Sequence, residues 1–187
     1  MTKTRTRSAS LPSIVPTSRI PIQRGSLVDR AWWLGAGRAE LPVLEDGLAS
    51  CYPQARRIAD LARGWLIYDV ELTVVGYPGT HEVAVVLWER PSAREPLVYA
   101  SRVDGFRHLY ERSRLCLWYP KDPPERRWQL ENSLVGLLDV VAVQLFKEHY
   151  FREKGEWLGG EDAEVHSQPK PDLVVRERSA QDARGRR

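Results

Sequence analysis

The sequence predicts an α+β domain with an N-terminal helix, a four-stranded antiparallel meander, a cysteine-bearing loop and a long C-terminal helix. Two observations support this prediction. Between residues 65 and 119, segments rich in β-branched and aromatic residues alternate with turns that contain Gly and Pro. On either side of them, apolar residues recur at the spacing of a helix face. Strands followed by a long helix are typical of a layer in which the helix covers one face of the sheet.

The first helix is predicted over residues 41–52. Its apolar positions lie three or four residues apart, at Leu41, Leu44, Leu48 and Cys51. This pattern places Cys51 in the core, and Pro53 ends or redirects the helix. The next segment, residues 54–63, is ambiguous, because its few apolar residues would also share one helical face.

Four extended segments form the predicted meander. They span residues 65–75, 81–89, 97–103 and 115–119. Turn sequences at 76–79 and 91–96 suit antiparallel neighbours joined by short loops. The C-terminal helix follows, with Asn132 and Ser133 available to cap its start and Gly155 to end it. Its apolar positions are Leu134, Leu137, Leu138, Val141, Leu145 and Phe146.

The tryptophans are expected to belong mainly to the core. Trp65, Trp88 and Trp128 should pack between the sheet and the helices. The pair Trp32–Trp33 has two interpretations, since it either anchors the preceding arm on the domain or marks a surface for a partner.

Composition and charge suggest one domain with two basic ends. The predicted organisation is a disordered or loosely attached basic arm (1–28), a folded domain (29–166) and a disordered basic tail (167–187). Residues 1–29 and 167–187 carry net charges of +4 and +3, so the segment between them carries −4 of the total of +3. Basic charge on the ends and not on a folded face argues against a specific nucleic-acid-binding domain. Loose binding of nucleic acid by the tails is retained as an alternative.

A few further sequence features bear on the cellular location of the protein and on metal binding. No apolar run approaches the ~20 residues that span a bilayer, and no secretory signal is visible, so a cytoplasmic location without membrane attachment is expected. The two cysteines are then free thiols and belong to no Cys-x-x-Cys pair. His81, His149 and His166 are expected to be too scattered for a metal triad, and no cofactor is predicted.

Cys116 is the residue on which the functional interpretation depends. It lies in a short apolar run, eight residues after His108 and just before a Pro-rich charged loop. Free cysteines are among the most buried residue types, so one interpretation is an ordinary strand thiol. The other is a nucleophile presented at the end of a strand.

Several short motifs lie around Cys116 and after it in the sequence. Residues 108–120 read His-Leu-Tyr-Glu-Arg-Ser-Arg-Leu-Cys-Leu-Trp-Tyr-Pro, and they are followed by Trp128, Glu148, Gly155-Glu-Trp-Leu-Gly159 and His166. Together with the order helix, meander, cysteine segment and helix, these motifs resemble the bacterial branch of the ubiquitin-conjugating enzyme family. That branch is encoded in cyclic-oligonucleotide antiphage signalling (CBASS) and related ubiquitin-like operons. The resemblance spans residues 41–166 and is to the stand-alone form.

The resemblance implies a ubiquitin-conjugating (UBC-like) fold and a thioester on Cys116. The thioester would form with the C-terminal carboxyl group of a partner protein and pass to a nucleophile. His108 would orient the loop or shuttle a proton, and a purely structural role for it stays open. Tyr110 and Trp118 would wall the groove. Asp122 would face an incoming lysine ammonium, although a solvated loop carboxylate is the simpler interpretation.

The resemblance also suggests partners, and it has two departures. The implied partner is a cGAS/DncV-like nucleotidyltransferase of the same operon, and a ubiquitin-like protein is a further one. Arg112-Ser113-Arg114 replaces the glycine expected before Leu-Cys. The eukaryotic His-Pro-Asn element is absent, because Leu109 and Tyr110 follow His108. The missing asparagine favours the alternative of a non-catalytic binding module with the same fold.

Overall fold

The computed structural model describes residues 12–15, 31–111, 113–119 and 122–159. These residues form a mixed α+β domain, which confirms the predicted class. The strands are β1 (Arg56–Asp60), β2 (Trp65–Thr73), β3 (Thr80–Leu87), β4 (Leu97–Ala100), β5 (Leu109–Glu111) and β6 (Arg114–Leu115). They form one antiparallel sheet in the order β1-β2-β3-β4-β6-β5. The described part of the chain therefore has six strands in this sheet, where the sequence predicts four.

The helices are α1 (Leu41–Leu44), α2 (Leu48–Cys51) and α3 (Ser133–Lys154). Short 3-10 turns at Trp32–Leu34 and Ala36–Glu40 precede α1, and two more at Pro124–Arg126 and Leu130–Asn132 precede α3.

The first predicted helix is two short helices. The interruption lies at Gly47, whose φ of +72° is a left-handed conformation that glycine adopts without the cost paid by other residues. As a result, Cys51 at the end of α2 is exposed and does not belong to the core, contrary to the helical spacing. The ambiguous segment 54–63 contains a strand, β1, in which Ile58 is the one buried residue.

The long helix α3 is predicted correctly from its apolar stripe. Leu134, Leu137, Leu138, Val141 and Leu145 are fully buried. Gly155 ends the helix at a φ of +74°, and its N–H donates to the Phe151 carbonyl. The predicted cap is different in detail, since the Asn132 amide oxygen accepts from the Gln129 N–H and caps the preceding 3-10 turn.

One segment, Pro124–Lys154, is long and apolar enough to cross a membrane by length and composition alone. The sequence prediction did not identify this segment, because charged residues interrupt its apolar run. In the structure the apolar stripe of α3 packs on the sheet, and the core helix of a soluble protein meets the same criterion. The length and hydropathy of Pro124–Lys154 are therefore weak evidence for a membrane span.

The sheet is apolar on both faces. The face toward α3 carries alternate residues of β2, Leu66, Tyr68, Val70 and Leu72, which join the helix in one core cluster. The outer face carries Trp65 and Ile67 with Tyr99 in a second cluster. This alternation follows from the two-residue period of a strand.

The two faces divide the tryptophans. Trp128 packs on the helix side, as predicted. Trp65 and Trp88 lie with the outer cluster, so the prediction that they pack between sheet and helices is wrong. Their strand parity places them on the opposite face from residues such as Leu66. Trp32 and Trp33 are buried in the helix-side core with their rings edge to face at 5.7 Å, which favours the anchoring interpretation.

A small part of the predicted N-terminal arm is described, and it docks on the outer face. Val15 is buried there, and the Ser113 hydroxyl donates to the Ile14 carbonyl at 2.9 Å. The rest of the arm, from 1 to 11 and 16 to 28, and the tail at 167–187 lie outside the described residues.

Leu138→Ala is expected to lower the free energy of unfolding by about 2–5 kcal/mol. Leu138 is 0% exposed, so the substitution leaves a cavity between α3 and the sheet. Val143→Ala is the matched control on the same helix: Val143 is 54% exposed, and its loss should change stability by about 0.5 kcal/mol or less. Urea unfolding of both variants measures the difference. Equal effects would contradict the packing of α3 described above.

Candidate functional site

The segment that carries Cys116 continues directly from β6. β6 pairs on one side with β4, through Tyr99 and Arg114, and on the other with β5. The Cys116 N–H donates to the His108 carbonyl at 2.9 Å. Continuing the Leu109–Leu115 register by one step therefore makes His108 the cross-strand neighbour of Cys116. The structure thus pairs the backbones of the two residues that the sequence nominates as catalytic.

Cys116 is partly exposed and has two polar contacts. Its thiol lies 3.5 Å from the Trp118 carbonyl oxygen, to which it donates. The side chains of Tyr110 and Cys116 interact, and that interaction contributes to the raised pKa of Tyr110. The sulfur therefore sits between an acceptor and a hydroxyl.

Tyr110 is suited to donate a hydrogen bond to the sulfur of Cys116. Burial of the hydroxyl, followed by its bond to Cys116, raises the pKa of Tyr110 to about 12. Tyr110 as a whole is 47% exposed. At neutral pH the group stays a phenol, and a phenol can donate to a thiolate.

His108 is held by a buried carboxylate on α3. Glu148 Oε1 lies 2.8 Å from His108 Nδ1 and 2.7 Å from the His108 N–H nitrogen. Glu148 Oε2 accepts from the Arg107 N–H at 2.8 Å. Burial alone would raise the pKa of Glu148, but the bonds from His108 and the two backbone N–H groups outweigh it and hold the pKa below its ordinary value. Glu148 is thus an anion inside the core.

A cleft of about 540 Å³ lies beside this segment. Tyr110 and Trp118 both line it. Its polar edge is organised around Glu95, which accepts from Trp118 Nε1 at 2.7 Å and from Arg127 Nη1 at 3.2 Å. Cys116 does not line the cleft, although its neighbours Leu115 and Leu117 do.

The wall of the cleft also contains two arginines stacked on aromatic rings. Arg94 lies 4.7 Å from the ring centroid of Trp88, and Arg114 lies 4.6 Å from that of Tyr110. Such stacking orders long cationic side chains. The cleft is therefore aromatic and carries positive charge.

Asp122 is bonded back to the end of the cysteine segment. Its carboxylate accepts from the Tyr119 N–H at 2.8 Å, and its own N–H donates to the Tyr119 carbonyl at 2.9 Å. Two hydrogen bonds therefore join Asp122 to Tyr119. The contacts give its carboxylate a local structural partner and do not by themselves point it at a substrate amine.

Sequence reasoning assigned no role to Glu148, which the structure makes central to the site. A signal for it is present in the chain. Glu148 falls at helical spacing after Val141 and Leu145, inside the buried stripe of α3. A carboxylate in such a stripe is either paired or costly, so it indicates a buried partner.

His81 and His149, two of the three histidines considered for a metal triad, lie side by side. Their Nε2 atoms lie 2.9 Å apart, and His81 Nδ1 lies 2.8 Å from the Ser101 carbonyl oxygen. Because a carbonyl only accepts, His81 carries its proton on Nδ1, and His149 Nε2–H donates to His81. His166 lies outside the described residues. Among those described, no three His, Cys, Asp or Glu residues form a group that could hold a metal ion.

Stability is expected to fall as the pH drops below about 6.5 because of His149. Burial, then the charges of His81, Arg152 and Arg102, hold the pKa of His149 below its ordinary value of 6.5. The folded state then binds fewer protons than the unfolded state, so stability rises with pH through this window and is complete above it. Unfolding free energies at pH 7.5, 6.5 and 5.5 measure the slope. His149→Gln should flatten it, and an unchanged slope in that variant would contradict the assignment.

Comparison with known proteins finds no matching family model and no matching curated protein.

Proposed function

We propose that this protein is a ubiquitin-conjugating-like acyltransferase that forms a thioester on Cys116 with the C-terminus of a partner protein. The observation that supports it most is the setting of Cys116: a partly exposed thiol with a phenolic donor, across the strand from a histidine whose ring is bonded to a carboxylate. These are the groups that acyl transfer through sulfur needs.

The proposed fold is UBC-like. In its favour, the strands β1 to β4 follow one another across the sheet, the cysteine segment comes next, and α3 returns over the sheet. This is the order that the motif resemblance implies. Two short helices, α1 and α2, occupy the place of its N-terminal helix.

In the first step, the Cys116 thiolate attacks the carbonyl carbon of an activated C-terminal acyl group, supplied as a thioester or an acyl adenylate. The C–S bond forms as the leaving thiolate or AMP departs with its electron pair. Before the attack, the Tyr110 hydroxyl stabilises the thiolate by donating to it. It thereby supplies a donor near the place of the asparagine that the motif lacks.

In the second step, an amine attacks the carbonyl carbon of the thioester. The C–N bond forms, the C–S bond breaks with its electrons on the Cys116 sulfur, and the nitrogen loses a proton. His108, the cross-strand neighbour of Cys116, is the group that accepts this proton. The products of this step are an amide, the Cys116 thiolate and a protonated His108.

The cleft beside this site would hold the C-terminal segment of the acyl donor. Trp88 and Trp118 offer apolar walls, and Arg94 and Arg114 offer positive charge. Such a surface suits an extended peptide with apolar and acidic side chains.

The motif resemblance also implies a partner protein that supplies the acyl group. We assign the acyl donor to a cGAS/DncV-like nucleotidyltransferase, with a ubiquitin-like protein as the other candidate, and the setting to antiphage defence in the cytoplasm. A reducing compartment suits the assignment, because the reaction needs a free thiol at Cys116.

The test is co-expression with the proposed acyl donor, a cGAS/DncV-like nucleotidyltransferase. A gel without reductant should show an adduct of the two proteins that thiol reductant removes. An adduct that survives reductant contradicts the proposal, and so does the absence of any adduct when the C-terminus of the nucleotidyltransferase is supplied as an α-thioester.

A non-catalytic binding module is the second candidate, and one observation favours it. Cys116 does not line the cleft, so a peptide could occupy the cleft without meeting the sulfur. The alkylation rate of Cys116 separates the two candidates. A rate no faster than that of a buried thiol supports the module, and a faster rate supports the enzyme.

A further inference from the structure

We propose that Glu148 is a positioning residue that holds His108 in one tautomer and one orientation, so that His108 Nε2 takes the proton released during amine attack. This inference rests on the proposed function. It adds a residue that acts through His108 and does not touch the reacting atoms.

The tautomer follows from the contacts. A carboxylate only accepts hydrogen bonds, and Glu148 Oε1 lies 2.8 Å from His108 Nδ1. Nδ1 therefore carries a hydrogen, and in the neutral ring Nε2 has the lone pair. The same oxygen accepts from the His108 N–H at 2.7 Å, which ties the backbone of the residue to the same point.

The orientation is fixed from several sides. Glu148 is 1% exposed, and its second oxygen accepts from the Arg107 N–H at 2.8 Å, so its own position is determined by three donors. The ring of Trp157 lies 4.2 Å from that of His108. The His108 side chain keeps 15% exposure, so it is enclosed without being sealed from solvent.

The electrostatics favour the same assignment. When Nε2 accepts the proton, the imidazole becomes a cation 2.8 Å from a buried carboxylate. The charge that develops during amine attack is therefore partnered within the fold and needs no rearrangement of water. Once the amide has formed, the proton passes from Nε2 to the Cys116 thiolate or to solvent, and the site returns to its starting state.

The experiment uses the full-length protein and a short synthetic peptide α-thioester as the acyl donor. Intact mass reports loading of Cys116. After the excess donor is removed, the rate of discharge to free lysine is measured for the wild type and for the variants E148Q, H108N and E148Q/H108N. E153Q is the matched control, because Glu153 lies on the same helix and its side chain is 54% exposed.

E148Q should load like the wild type and discharge to lysine about tenfold more slowly or worse. In the H108N background, E148Q should have no further effect, because Glu148 acts only through His108. If E148Q discharges like the wild type, or slows H108N by the same factor, the inference is overturned. If the wild type does not load at all, the proposed function fails and takes this inference with it.

A second measurement stands if E148Q does not fold. Two-dimensional ¹⁵N NMR of the wild-type protein reports the tautomer of each histidine ring, and H108N identifies the His108 signals by their loss. The Nδ1–H tautomer is expected. A dominant Nε2–H tautomer in the neutral ring overturns the inference.

Discussion

Cys116→Ala is expected to abolish the thiol-sensitive adduct and reduce acyl transfer to the uncatalysed background. No other group in the proposed mechanism can form a thioester at this position. Cys51→Ala is the matched control, because Cys51 is the protein's other cysteine and is exposed at the end of α2. It should retain the wild-type rate.

The same experiment has a positive arm. Cys116→Ser should give a slower-forming oxygen ester that resists thiol reductant, because an alcohol is a weaker nucleophile than a thiolate and its ester is less reactive toward thiols. If Cys116→Ala and the wild type give the same adduct, or if Cys51→Ala abolishes it, the nucleophile has been assigned wrongly.

Glu148→Leu is expected to destabilise the fold by about 3–5 kcal/mol, the usual cost of removing one partner of a buried charged network. The substitution leaves the Arg107 and His108 N–H groups and His108 Nδ1 without their acceptor. This is a large fraction of the roughly 5–15 kcal/mol that stabilises a domain. Urea unfolding at pH 7 measures it, and Glu153→Leu on the exposed side of α3 should cost about 0.5 kcal/mol or less.

The same residue predicts a pH dependence. The pKa of Glu148 is lower in the folded state than its ordinary value of 4.5. Its contribution to stability is therefore complete above about pH 4.5 and is lost as the pH falls through the folded-state pKa. This window lies below that of His149, so the two effects separate in a pH series. A Glu148→Leu variant as stable as the wild type at pH 7 would contradict the network.

Much of the domain could be predicted from the sequence, because its longest helix and strands each have a recognisable local pattern of apolar residues. The stripe of α3 repeats over 22 residues, and the long strands β2 and β3 are rich in β-branched and aromatic residues. β1 has only one buried position, and β5 and β6 have three and two residues. Elements this short have no period to detect, since tertiary pairing and not local propensity forms them.

The residues of the candidate site also differ in how far the sequence could predict them. Cys116 and His108 are nominated from the sequence, but their backbones meet because β5 and β6 pair, and the sequence analysis does not predict that pairing. Glu148 lies forty residues beyond His108 and reaches it only when α3 docks on the sheet. No spacing rule reports such a contact, although the charge inside an apolar stripe marks that something must pair with it.

Trp65 and Trp88 illustrate a further limit. Their apolar character predicts burial, and both follow that rule to a large extent. Residues at alternate positions of a strand lie on opposite faces of the sheet, so the face of each tryptophan depends on which face α3 packs against. The outer face has its own apolar cluster, which includes Val15. The face on which each of these two tryptophans lies is therefore recognisable only after the helix has been placed.

The central claim is that Cys116 carries the acyl group, and peptide mapping by tandem mass spectrometry tests it most directly. The protein is incubated with the peptide α-thioester, digested at mild acidic pH without reductant, and mapped. The account predicts the acyl group on Cys116, its removal by thiol, and an unmodified Cys51. Acylation of Cys51 or of lysines to the same extent as Cys116, or no acylation of Cys116, would contradict it.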